Sequence, residues 1–96
     1  MAYILSNKAE EDIIAIFVTG AEQFGLIQAQ RYHQQLTTTF EFLSDNPQAA
    51  PVREELIPPV RLHPVGSHLV IYQLEDDNSI FIIRVHHAHE DWLNTS

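Results

Sequence analysis

The polar side chains Arg61, His63, His68, Tyr72, Arg84, His86 and His87 stand out among the apolar runs between Arg61 and His87. Histidine and tyrosine can move protons, and arginine can stabilise charge developing on a phosphorane. Such a set could cleave RNA. The same side chains could instead meet a protein partner, because arginine offers a rigid fork of donors to carboxylates. A third reading is a solvated sheet face carrying cross-strand polar pairs, which antiparallel sheets often show.

Charge separates these readings. Thirteen Asp and Glu stand against five Lys and Arg, for a net charge of −8. A protein that holds a phosphate backbone normally carries a basic surface. No acid falls between Leu56 and Leu74, so a local neutral-to-positive face on an acidic body remains compatible with the sequence. The run His86-His87-Ala88-His89-Glu90-Asp91 contains proper zinc ligands. Its spacing argues against a metal, because adjacent strand residues point to opposite faces and the run matches no standard zinc pattern. No metal or cofactor is expected. His87 is read as hydrogen-bonded locally.

The elements that must position these residues follow from periodicity. Arg61 to Val65, His68 to Leu74 and Ser79 to Val85 read as three strands. Gly66-Ser67 suits a two-residue II′ turn, and Glu75 to Asn78 is an acidic, turn-prone loop. Alternation puts Arg61 with His63, His68 with Tyr72, and Arg84 with His86. The expected core face then carries Val60, Leu62, Leu69, Ile71, Phe81, Ile83 and Val85. The polar sets form one patch if the register aligns, on a sheet face that helices leave open.

Upstream, Ala2 to Ser6 reads as a short strand and Ser6 as a helix N-cap. Ala9, Ile13, Ile16, Phe17, Gly20 and Phe24 make one apolar helix face. Gly25 interrupts it. A second helix follows over about Leu26 to Ser44, with Ala29, Tyr32, Leu36, Phe40 and Leu43 as its inner stripe. Asn46-Pro47 ends it. From Pro47 to Pro59 a surface loop is expected, with a helical turn at Val52 to Leu56. After Val85 a short C-terminal turn or helix could be docked by Trp92 and Leu93. The expectation is one α+β domain over residues 1–96: an N-terminal strand, a helical hairpin, and a three-stranded antiparallel meander, in the order β-α-α-β-β-β.

This order and these residues resemble the ParE toxins of the RelE/ParE superfamily of bacterial toxin–antitoxin systems. Tyr3-x-Leu5-Ser6-x-x-Ala9-x-x-Asp12-Ile13 resembles the family's strand and helix opening. Gln23-Phe24-Gly25, Ala29-x-x-Tyr32-x-x-x-Leu36 and Leu43-x-x-Asn46-Pro47 resemble its hairpin. The most specific part is Arg61-x-x-Pro64-Val65-Gly66-Ser67-His68-x-x-x-Tyr72, with Ile83-Arg84-Val85-x-His87 and Asp91. The chain departs from the pattern at His86, where leucine is usual, at Ala88, where glycine is common, and at His89.

The resemblance implies a plasmid-stabilisation type of toxin that inhibits DNA gyrase by protein–protein binding. A ParD-like antitoxin would neutralise it in a hetero-oligomer, with no direct contact to nucleic acid. Arg61, His68, Tyr72, Arg84, His87 and Asp91 become the positions expected to meet the target or the antitoxin. Leu26, Ile27 and Phe42, off the inner helix stripe, become candidates for antitoxin contact on the hairpin. One alternative is a RelE-type ribosome-dependent mRNA endonuclease, in which Arg61, His68, Tyr72 and Arg84 would be catalytic. Another is a non-toxic binding module of the same fold.

The absence of cysteine rules out disulfides and thiolate metal sites. Apolar runs are too short to span a bilayer, and the N-terminal residues show no signal-peptide pattern. A cytoplasmic location without membrane attachment is the expectation.

Overall fold

The computed structural model describes residues 3–88. The chain forms β1 (Tyr3–Leu5), α1 (Asn7–Phe24), α2 (Leu26–Asp45), β2 (Val52–Arg53), β3 (Val60–Val65), β4 (His68–Leu74) and β5 (Ile80–His87). The α+β class and the helical hairpin match the sequence reading. The sheet does not match in full. It has five strands in the order β1-β5-β4-β3-β2. β1 runs parallel to β5, so the sheet is mixed rather than wholly antiparallel. β2, where a helical turn was expected, pairs Val52 with Arg61 and Arg53 with Val60.

Ser6 joins the first strand to the first helix. Its hydroxyl accepts the N–H of Ala9 at 2.9 Å, capping α1. The same hydroxyl donates to Ile83 O at 2.6 Å, and Ser6 N donates to Ile82 O at 2.9 Å. The cap thus fixes where α1 starts relative to β5. Gly25 alone separates the helices, at a φ of 92° that a side chain would disfavour. Gly66, with φ 54°, opens the β3–β4 turn, while Ser67 stays out of the left-handed region, as a II′ turn requires.

The helices cover the sheet face opposite to the one expected. The core gathers Ala9, Ile13, Leu36, Phe40 and Leu43 from the hairpin against Val65, Val70, Tyr72, Ile80, Ile82 and Val85. Of the expected core strand residues, only Val85 joins this cluster. Val60 and Ile71 are buried apart from it, and Leu62, Leu69, Phe81 and Ile83 are half-buried. Arg61 pairs with Tyr72 and His63 with Val70 in register, so the polar sets of β3 and β4 align, on the helix side rather than on an open face. Arg84 and His86 pair with Ile71 and Leu69 and fall out of phase with them, so the three sets do not form one patch. A register irregularity adds to the difference. Ile71 pairs with Arg84 but Tyr72 pairs with Ile82, so Ile83 is an extra residue and β5 changes phase there. One such residue moves every later side chain to the other face. On α1, Phe24 was expected on the inner stripe and is instead 70% exposed.

Candidate functional site

The marked arginines are held within the fold. Arg84 donates to Asp12 Oδ2 through Nε at 2.8 Å and to Oδ1 through a terminal nitrogen at 2.9 Å. Asp12 Oδ2 also accepts the N–H of Val85 at 2.9 Å. Burial by itself would raise the Asp12 carboxyl. The hydrogen bonds from Arg84 and Val85 and the nearby charges of Arg84 and His86 outweigh it, and the carboxyl sits below its ordinary value. Arg61 donates to Ala50 O at 2.6 Å. Tyr72 is fully buried and donates to Pro47 O at 2.9 Å. Burial pushes its phenol up, partly offset by the backbone near Ala50 and by Arg61. Arg61 and Tyr72 together therefore tie the segment after α2 to the sheet.

His68 and His87 lie elsewhere, with Tyr32. The Tyr32 hydroxyl approaches His68 Nδ1 at 2.6 Å, Val65 O at 3.1 Å and Ser67 N at 3.2 Å. A hydroxyl has one hydrogen, a carbonyl only accepts, and a backbone N–H only donates. All three contacts are satisfied when Tyr32 donates to Val65 O and His68 carries a proton on Nδ1. The rings of His68 and His87 meet edge to face at 5.3 Å between centroids. Gly66 permits this arrangement, because a Cβ there would fall 2.6 Å from the Tyr32 ring.

This cluster closes one end of a cavity of about 490 Å³ between α1 and α2. Ile13, Phe17, Ala29 and Leu36 form its apolar wall, and Tyr32, Ser67, His68 and His87 its polar end. The hairpin exposes Phe24 at the cavity's lining and, outside it, Ile14, Val18, Leu26, Ile27 and Phe42, the last three being the expected hairpin candidates.

The structure thus divides the expected set. Arg61 and Tyr72 sit at one end of the β3–β4 pair, His68 and His87 at the other, and Arg84 against α1. No arrangement of Arg61, His68, Tyr72 and Arg84 around one reacting atom results. Asp91, with His89, Trp92, Leu93 and the C-terminal turn or helix, lies outside the described residues. Among the described residues no cluster of three or more His, Cys, Asp or Glu could hold a metal ion. Period placed Tyr32 on the inner stripe of the second helix, and nothing in its own neighbourhood set Asp12 apart. Their roles arise from partners 36 and 72 positions away, and the one signal for either was its place in the resemblance.

No described helix is long and apolar enough to cross a membrane. Comparison with known proteins agrees with the fold. Residues 3–92 match the family model described as the ParE toxin of type II toxin–antitoxin systems, parDE. A Caulobacter vibrioides protein named Toxin ParE1 is 32% identical over 85 residues, covering 88% of this chain and 86% of that protein. A Mycobacterium tuberculosis protein of the same name is 27% identical over 89 residues, covering 93% and 91%. A solved structure described as a chromosomal ParDE system from P. aeruginosa superposes with a TM-score of 0.78 at 21% identity, over 93% of this chain and 97% of that one. With a helical hairpin seated on a sheet through Ser6, Asp12 and Tyr32, and a family model spanning nearly its whole length, the chain belongs to the ParE toxin family of type II toxin–antitoxin systems.

Proposed function

We propose that this ParE-family chain is a toxin that inhibits DNA gyrase by protein–protein binding and is neutralised by a cognate ParD-like antitoxin laid along its helical hairpin. The observation that carries the reading is the uncovered apolar surface of that hairpin. Phe24, Leu26 and Ile27 are 70%, 57% and 69% exposed around Gly25, and Ile14 and Val18 continue the surface along α1. Apolar side chains exposed in a group mark an interaction surface more often than scattered ones do. An amphipathic antitoxin segment could fold onto such a surface as it binds. The action is read as non-enzymatic. Arg53 pairs with Glu55, Arg61 holds Ala50 O and Arg84 holds Asp12, which leaves Lys8 and Arg31 as exposed cations on a body of net charge −8. That is poor electrostatic support for ribosomal RNA binding.

A gyrase supercoiling assay with the purified protein tests the target. Inhibition with accumulation of cleaved DNA is the expected result. No effect on gyrase at concentrations that stop growth in cells overturns it and moves the search to messenger-RNA cleavage on ribosomes. Co-expression with the antitoxin should restore growth, and Ile27→Glu should weaken that rescue while leaving the fold unchanged.

A further inference from the structure

The chain itself arrives at the mouth of the cavity between α1 and α2. The Ala88 N–H donates to Ser67 O at 2.8 Å, and Ser67 lines the polar end of the cavity beside His68 and His87. Beyond Ala88, and outside the described residues, the sequence continues His89-Glu90-Asp91-Trp92-Leu93-Asn94-Thr95-Ser96. Trp92 and Leu93 are its two large apolar side chains. Four extended residues span at most about 14 Å, so Trp92 has the reach to enter the cavity from Ala88. The cavity suits such a side chain. Among the described residues no Lys, Arg, Asp or Glu lines it, Phe17, Ala29 and Leu36 give it apolar walls, and its volume is about 490 Å³. Gly20 keeps the two helices from filling it: a Cβ there would lie 3.7 Å from Ala29 Cβ, an ordinary contact, so the position has room for a side chain that the sequence does not supply.

We propose that this cavity is the docking site of the protein's own segment 89–96, with the Trp92 indole seated between α1 and α2 and Leu93 against the apolar wall beside it. Apolar surface facing water on both partners is the driving force. Tryptophan suits the place because it buries a large apolar area and keeps one polar handle, an indole N–H that needs an acceptor once buried. Thr19, Gln23 and Gln28 on the lining carry side-chain oxygens that can take it. The closing of this contact costs little chain entropy, since only a short stretch separates Trp92 from the anchored Ala88. Docking joins the end of β5 to the helical hairpin a second time, beyond the Asp12–Arg84 pair. The contact lies within one chain and needs neither an antitoxin nor a target.

Trp92 is the chain's single tryptophan, so its fluorescence reports on this one side chain. In the purified full chain, the emission should lie at shorter wavelength than that of free tryptophan in water, and acrylamide should quench it poorly. Nuclear Overhauser contacts in the isotope-labelled chain should run from the Trp92 indole to Phe17, Ala29 and Leu36. Gly20→Leu places a side chain in the cavity and should shift the emission to longer wavelength and restore quenching, while Gly20→Ala should leave both closer to the native values. Amide spectra of each variant establish that the fold is kept. An emission like that of free tryptophan, with no Overhauser contact to the cavity, overturns the proposal. So do contacts from the indole to Leu62, Ile71 or Phe81, which would put the segment on the other face of the sheet. Protection of Trp92 that appears only as protein concentration rises assigns the occupant to a second copy and overturns docking within one chain. An unchanged emission in a folded Gly20→Leu variant overturns the cavity as the site. The native-chain Overhauser contacts decide the matter even if Gly20→Leu does not fold.

Discussion

Asp12 and Arg84, 72 positions apart, meet through two parallel hydrogen bonds of 2.8 and 2.9 Å that join α1 to β5. The pair is partly buried, with side-chain exposures of 16% for Asp12 and 35% for Arg84. The same carboxylate serves the Val85 N–H, so the contact also completes backbone hydrogen bonding on β5. Either change removes the charge-assisted pair. Asp12→Asn and Arg84→Ala should each lower unfolding stability by about 1–3 kcal/mol, the range for hydrogen bonds to charged groups. The double variant should cost less than the sum, since both changes break one interaction. Urea denaturation of the four proteins measures the coupling. A loss of toxicity in Arg84→Ala should be assigned to target contact only after this cost is measured.

The acid limb of stability should report the same pair. Asp12 is held below its ordinary value of 3.8 in the folded protein. Its contribution is therefore present above that value and is lost as pH falls through the lower folded value. Stability of the native sequence should drop on acidification below about pH 4, and the Asp12→Asn profile should be flatter across that window. Thermal melts at a series of pH values compare the two slopes.

Gly66 should tolerate no side chain. Its φ of 54° lies in the left-handed region, and an added Cβ would come 2.6 Å from the Tyr32 ring. Gly66→Ala should cost about 1–3 kcal/mol, combining backbone strain with displacement of the ring. Replacing Tyr32 by alanine in the same chain should relieve the steric part and leave the backbone part. Resonance shifts of His68 should accompany the single change, because the Tyr32 hydroxyl lies 2.6 Å from its Nδ1.

Loss of the Tyr72 hydroxyl should loosen the segment after α2 without opening the core. Tyr72→Phe keeps the buried ring and deletes the hydroxyl's bond to Pro47 O together with its contact to the Ala50 backbone. A cost of about 0.5–1.5 kcal/mol is expected. Arg61→Leu removes the neighbouring bond to Ala50 O, and hydrogen exchange of residues 47–50 should rise in both variants. Under the gyrase reading neither change should act through direct contact with the target unless activity falls by more than stability accounts for.

Hydrophobic period, the Ser6 cap, the Gly25 break and the Asn46-Pro47 stop lie within a few residues of the elements they define, so the sequence by itself determined both helices and the last three strands. It also determined that Arg61, His63, His68 and Tyr72 fall in phase with one another. What period two cannot encode is which face meets the helices, because strands with mixed apolar and polar residues on both sides offer two solutions. The fold chose the face with Val70, Tyr72 and Ile82, and the extra residue at Ile83 brought Val85 onto it. The parallel placement of β1 and the two-residue β2 depend on partners far along the chain and leave no local signal. The same holds for the site. The sequence supplied histidines, arginines and a tyrosine, but only tertiary structure decided that Asp12 would engage Arg84 and that Tyr32 would hold His68. Those pairings are long-range contacts, and residue type and spacing alone do not carry them.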